Sequence, residues 1–200
     1  MQTSPACLAA RLLDVIEGDV VPLTRAGVAG GNKLFGAAVL HPDLSLALAE
    51  TNNETENPLW HGEIHALKRL WELPPDQRPD PAEAVFLSTH EPCSLCLSAL
   101  AWTGFRRVFF LFTHQDSRDA FAIPHDIRIL TEVFPAAPGA PLYRRDNAFF
   151  TARPLADLIA EAPAAERPAL DARVQALRRV YADLSAVYQA GKGAAGIPLA

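Results

Sequence analysis

His61-Gly62-Glu63-Ile64-His65-Ala66-Leu67 and Thr89-His90-Glu91-Pro92-Cys93-Ser94-Leu95-Cys96 decide how this chain reads, because each sits where an irregular segment runs into a helix. In the first, Ile64, Leu67, Leu70 and Trp71 make an apolar stripe at helical spacing. Asn57 is placed to cap that helix and Pro58 suits its first turn. In the second, Pro92 opens a helix that runs to about Trp102 and stops near Gly104. Cys93 and Cys96 are three residues apart, so they share one face of a first helical turn, where the positive end of the helix dipole favours thiolates. With the His61 imidazole they supply three ligands from two helix starts. A tetrahedral Zn2+ held this way keeps its fourth position for water, whose pKa it lowers toward neutrality. Glu63 is left over as a proton carrier and not a ligand.

Working outward, the segments around these helices alternate between strand and helix patterns. Residues 5–18 carry Leu8, Leu12, Leu13 and Ile16 at helical spacing, ending at Gly18. A turn at Gly30-Gly31 precedes a strand over Leu34–Leu40. His41-Pro42-Asp43 turns the chain into a second strand over Leu44–Ala49, completing a hairpin. Ala84–Ser88 and Val108–Phe112 read as buried strands. A short helix is predicted at Ser117–Ala122 and a last short strand near Arg128–Leu130. This order predicts an α/β fold, a three-layer α/β/α sandwich around a mixed sheet of about five strands. Composition changes after residue 150, so a domain over 1–150 is followed by a C-terminal helical extension over 151–200. There, Leu170, Val174, Leu177, Tyr181, Leu184 and Tyr188 fall on one helical face. That face has to be covered by the main domain or by a partner chain, while the tail from Gly191 to Ala200 is expected to be mobile.

The chain's 23 acidic and 18 basic residues give a net charge of −5. That balance weighs against extended phosphate-backbone binding, so nucleic acid is not the expected partner. The obvious basic pairs are Arg106-Arg107, Arg144-Arg145 and Arg178-Arg179. Asp14, Glu17 and Asp19 break up the first twenty residues, which therefore do not read as an export signal. No apolar stretch is long enough to span a membrane. The expectation is a cytoplasmic protein, in which Cys-x-x-Cys points to metal or redox chemistry.

The combination of His61-Gly62-Glu63 with Pro92-Cys93-Ser94-Leu95-Cys96 resembles the signature of the cytidine and nucleobase deaminase superfamily. The resemblance covers roughly residues 30–130. Within the superfamily, HGEIHAL and THEPCSLC look like the branch of guanine deaminases, yeast-type cytosine deaminases and tRNA adenosine deaminases. It implies a zinc-dependent deaminase acting on a small aminated ring, guanine-like or cytosine-like. Metal-bound hydroxide attacks the amine-bearing carbon, and Glu63 carries a proton to the ring nitrogen and then to the leaving ammonia. It also implies that Asn52, or failing that Asn53, binds the ring, and that the backbone carbonyl of Glu91 accepts from the amine. Phe35 and Trp60 become pocket walls by resemblance and by aromatic character, and either Asp116 or Asp126 is an acidic group near the pocket. A homodimer or higher homo-oligomer is part of the same implication.

Other readings compete. The alternative enzyme is a tRNA adenosine deaminase, which needs a positive surface that this chain offers little of. The alternative class is a non-catalytic zinc-binding module, against which Glu63 and the free fourth position argue. A structural zinc site with Cys7 as fourth ligand leaves Glu63 without a role. His65 follows His61 by four residues, but a zincin needs His-Glu-x-x-His, so His65 reads as core or as support behind the metal ligands. Phe149 and Phe150 are read as core, with closure of a pocket as the other possibility.

Overall fold

In the computed structural model, residues 3–134 and 141–199 are described. The chain runs through α1 (Pro5–Val15), a π-helical turn (Ile16–Val20), α2 (Val21–Ala29), β1 (Gly36–Leu40), β2 (Leu46–Thr51), α3 (Gly62–Glu72) and a 3-10 turn (Pro75–Gln77). It continues through β3 (Val85–His90), α4 (Ser94–Thr103), β4 (Arg107–Phe112), α5 (His114–Asp119), α6 (His125–Glu132), β5 (Thr151–Pro154), α7 (Leu155–Glu161) and α8 (Arg167–Gly191).

The five strands form one mixed sheet in the order β2-β1-β3-β4-β5. β1 pairs antiparallel with β2 and with β3, whereas β3–β4 and β4–β5 are parallel. Side chains alternate between the two faces of a strand, and the core divides accordingly. Ala38, Leu40, Val85, Leu87, Phe109 and Leu111 pack on one face with α1, α2, α7 and α8. Ala37, Val39, Phe86, Val108 and Phe110 pack on the other with Ala66, Leu67 and Leu70 of α3 and Leu97 and Leu100 of α4. The result is the expected α/β/α sandwich, and β3 is buried along its whole length.

Several expectations are corrected. Arg128–Leu130 is helical within α6, because Asp126 and Leu130 bury one face at a spacing of four. The short helix expected at Ser117–Ala122 begins earlier, at His114, where the Thr113 side chain accepts from Asp116 N in a capping box. The first helix does not end at Gly18. A π-helical turn carries it into α2. The last strand is Thr151–Pro154, so the division expected at residue 150 falls between the sheet's fourth and fifth strands. The stripe on α8 is covered by this chain itself: Leu170, Leu177, Tyr181, Leu184 and Tyr188 are buried in the core shared with α1 and α2. In the tail, Ile197 is buried. Ala200 lies outside the described residues. No helix among the described residues is long and apolar enough to cross a membrane.

Candidate active site

Helix α3 starts at Gly62, four residues later than Asn57 and Pro58 predict. Asn57 caps a turn instead, accepting from Leu59 N at 3.0 Å. The true start is set by Asn52, whose Oδ1 accepts from Gly62 N at 2.5 Å. That bond satisfies one of the amides a helix leaves free at its N-terminus. Only glycine fits at position 62: a Cβ there would lie 2.8 Å from Gly36 Cα and 2.9 Å from Phe35 O, both backbone atoms that cannot swing aside. Gly62→Ala is therefore expected to lower stability by about 1–3 kcal/mol, read as a fall in Tm. Gly18→Ala, whose added Cβ would meet nothing within 4 Å, serves as the control and loses no stability.

This close approach brings His61, the residue capping α3, against the first turn of α4. Cys93 caps α4 and Cys96 lies in its first turn. Cys93 Sγ is 3.4 Å from His61 Nδ1 and 3.5 Å from Cys96 Sγ, and Cys96 Sγ is 3.8 Å from the same nitrogen. The three ligand atoms all lie within 4.8 Å of one another. The hydrogen bond from Cys96, with that from His61, holds the Cys93 thiol well below its usual range even though burial opposes this. Burial and the neighbouring Cys93 charge push Cys96 up. Burial acts to lower His61, but the Cys93 hydrogen bond and charge, with Glu63 and Glu54, lift it to about 9. Two sulfurs and one imidazole nitrogen, gathered at two helix N-termini, are a donor set that fits zinc. Cys7 is exposed on α1, in the opposite helical layer, and is not part of this cluster. That placement removes the four-ligand structural site.

Glu63 is buried beside the cluster. Its Oε1 accepts from Ser88 Oγ at 2.8 Å, and its Oε2 lies 3.3 Å from Cys96 Sγ. Burial first, and then the Cys93 charge, push its carboxyl above the usual carboxylate range. A carboxyl raised in this way holds a proton more readily than a free carboxylate, which suits a group that takes up a proton and hands it on.

A cavity of about 340 Å³ opens over His61 and Cys93, lined also by Lys33, Phe35, Glu54 and Asp126. Apolar side chains, Leu59, Leu95, Ile123 and Ile129, supply much of the remaining wall. Pro198 and Leu199 of the tail complete its rim. A larger cavity of about 510 Å³, around Tyr143 and Arg145, is not next to the metal cluster.

Of the side chains expected to touch substrate, Phe35 lines the cavity over the cluster and those of Asn52 and Trp60 do not, while the expectation for Glu91 concerns its backbone carbonyl and not its side chain. Asn52 is buried beneath that cavity, with its carboxamide oxygen on Gly62 N and its Nδ2 donating to Glu54 Oε2 at 2.7 Å. The fallback, Asn53, donates to Glu56 on the surface. Trp60 turns away to stack on His65, with ring centroids 5.8 Å apart, and Lys68 Nζ lies 5.1 Å from its ring. Pro58 and Leu59 take the wall position expected of Trp60. The Glu91 side chain is drawn into the larger cavity, accepting from Tyr143 Oη at 2.8 Å, Arg145 Nε at 2.8 Å and His114 N at 3.0 Å. Between the two aspartates, Asp126 lines the cavity over the cluster. Asp116 is spent on the cap of α5 and on Arg178 at 2.7 Å. Burial, then the Cys93 charge, lift Asp126 to about 8. His65 supports the fold, its Nδ1 lying 2.9 Å from Thr51 O. Phe150 is core and Phe149 is exposed.

Ser88, Lys33 and Glu54 were not singled out from the sequence. Ser88 ends the apolar run of β3 and is followed by Thr89, His90 and Glu91, so it reads as the polar end of a strand and carries no signal of its own. Lys33 and Glu54 sit in polar loops, where a charge carries no signal of burial.

Residues 20–112 match the model of the cytidine and deoxycytidylate deaminase zinc-binding region. Guanine deaminase from Bacillus subtilis (strain 168) is 28% identical over 96 residues, which is 48% of this chain and 58% of that protein. The chain thus spans under two thirds of the curated relative it matches. A solved guanine deaminase from Nitrosomonas europaea is 20% identical, with 86% of this chain and 84% of that chain covered and a TM-score of 0.49. A crystal structure in complex with 2,6-diaminopurine is 21% identical, covering 96% of this chain and 85% of the other at a TM-score of 0.50. That last likeness is one of fold.

Proposed function

We propose, from the premise that residues 20–112 carry a cytidine and deoxycytidylate deaminase zinc-binding region, that the protein is a zinc-dependent hydrolytic deaminase of a small aminated heteroaromatic base, with guanine the first candidate. The observation that carries this reading is the placing of buried Glu63 within 3.3 Å of Cys96, beside three convergent metal-ligand atoms at a cavity. His61, Cys93 and Cys96 would hold the zinc. When bound, it supplies Lewis-acid activation of water, so that deprotonation is accessible near neutral pH. Glu63 takes that proton and passes it to a ring nitrogen, then takes the second proton from the hydroxyl now on the ring carbon and gives it to the departing amine, which leaves as ammonia while the carbonyl forms. Ser88 fixes the Glu63 carboxyl during the transfer.

Cavity size and wall chemistry support a small ring. About 340 Å³ lies at the lower end of the roughly 300–1,000 Å³ common for ligand pockets. Phe35, Ile123 and Ile129 offer apolar contact, while Asp126 offers a carboxyl to the ring's polar edge. The guanine deaminase of Bacillus subtilis supports guanine as first candidate. Against a nucleic acid substrate, two arginines of the basic pairs are engaged internally: Arg145 with Glu91 and Arg178 with Asp116.

The test is ammonia release by zinc-loaded protein against guanine, cytosine, adenine, their nucleosides, pterins and aminotriazines. Guanine is expected to turn over fastest. One zinc per chain with no release from any member of the panel would overturn the assignment in favour of a non-catalytic zinc module.

A further inference from the structure

We infer that Lys33 is a specificity-determining residue that donates a hydrogen bond to a ring carbonyl oxygen of the substrate, selecting amino-lactam rings. The inference rests on reading the cavity over the metal cluster as the base-binding site.

Lys33 is 6% exposed, yet it belongs to the loop between α2 and β1 and not to the apolar core. That loop is fastened to the one following β2: Asn32 Oδ1 accepts from Thr55 N at 2.9 Å, and Asn52 N donates to Phe35 O at 2.9 Å. Between these two ties, Lys33 Nζ donates to Glu54 Oε1 at 2.8 Å, and both side chains line the cavity. Glu54 is committed elsewhere too, since Asn52 Nδ2 donates to its Oε2 and His61 Nε2 lies 3.8 Å from its Oε1. The pair is therefore held in place from behind the metal cluster.

A buried ion pair is a poor source of stability, because removing both ions from water costs about as much as their attraction returns. Its presence in a cavity wall calls for another use. An ammonium group has three N–H donors, and among the described residues one is accounted for, by Glu54. Buried donors need acceptors, and the cavity is where an acceptor can arrive. Asp126, a carboxyl that can accept, lines the same cavity. A donor and an acceptor of this kind match adjacent C=O and N–H groups, the lactam edge shared by guanine and 2-amino-4-oxopteridines. In cytosine the ring nitrogen between the carbonyl and the amine-bearing carbon carries no hydrogen, so its N–H lies on the far side of the oxygen from the amine, and adenine has no ring oxygen.

The experiment compares guanine with 2-aminopurine, which bears the same amine but lacks the ring oxygen. Lys33→Met is expected to lower the guanine to 2-aminopurine ratio of kcat/KM by about 10- to 100-fold, the loss of one hydrogen bond to a charged group. A role in folding alone would lower both activities and leave the ratio unchanged, and that result overturns the inference. Because Lys33→Met leaves Glu54 buried and unpaired, the double variant Lys33→Met/Glu54→Gln is measured alongside and is expected to show the same change in ratio. Calorimetry with hypoxanthine, which has the lactam edge and no amine, against purine gives a readout free of turnover. Preferential hypoxanthine binding that is lost in Lys33→Met supports the inference even if no amine is released. Equal turnover of guanine and 2-aminopurine by the unaltered enzyme overturns it while leaving the deaminase assignment standing. Failure to bind either ligand, with no ammonia from any base, overturns both.

Discussion

Glu63→Ala is expected to cut ammonia release by roughly 10²- to 10⁴-fold, the usual contribution of a positioned proton carrier, while the zinc content stays at one per chain. Glu63 is within 3.3 Å of Cys96 Sγ but is not one of the three clustered ligand residues, so its removal leaves the donor set whole. The fold should also survive. The variant strands the Ser88 hydroxyl, which donates to Glu63 Oε1 at 2.8 Å, at a cost of about 1–3 kcal/mol. It also relieves the burial of a carboxyl in the core, which works in the opposite direction. Glu63→Gln keeps the bond from Ser88 and cannot carry the proton, so it should be as inactive as Glu63→Ala and closer to the parent in stability. The measurements are ammonia release, metal content after gel filtration, and thermal unfolding. Parent-like turnover in either variant would remove Glu63 from the chemistry. Loss of zinc together with unfolding in both would make it a structural residue.

What could be read in the sequence follows from how local the controlling physics is. The ligand set was legible because His61, Cys93 and Cys96 combine residue type with helix-start spacing, and the structure brings their ligand atoms within 4.8 Å. The layered fold was legible because Ala84–Leu87, which leads into β3, and Val108–Phe112 of β4 are continuous apolar runs, buried on both faces. Asn52 and Trp60 show where such reading stops. Asn52 is buried, but its partners are Gly62 N and Glu54, fixed by how two loops meet and by no pattern in either. Trp60 has aromatic character suited to a pocket wall. It packs instead on His65, one turn into α3, because the helix begins at Gly62 and not at Pro58. The start was misplaced because Asn57-Pro58 carries a strong local helix signal, which the tertiary bond from Asn52 overrides. Arg128–Leu130 failed for a similar reason, since three residues with two apolar side chains suit a short strand or one helical turn equally well. The Lys33–Glu54 pair was invisible because burial of a charged loop residue depends wholly on what folds over it.

Cys96→Ala should abolish zinc retention and with it all ammonia release, yet leave a folded protein. Metal affinity depends on the full set of deprotonated ligands, so a site reduced to Cys93 and His61 should release its zinc on dialysis against a mild chelator. Cys96 is fully buried in the first turn of α4, and its loss leaves a small void worth roughly 1 kcal/mol. The core on that face, with Leu97 and Leu100 against Ala66, Leu67 and Leu70, does not depend on the sulfur. The contrast with Glu63→Ala is the informative part: one variant loses activity with its zinc, and the other loses activity while keeping it. Cys7→Ala completes the set. Cys7 is exposed on α1, so this substitution should change neither zinc content nor turnover. Zinc loss in Cys7→Ala would restore a four-ligand structural site, and full zinc retention in Cys96→Ala would mean that the ion is held somewhere other than between the starts of α3 and α4.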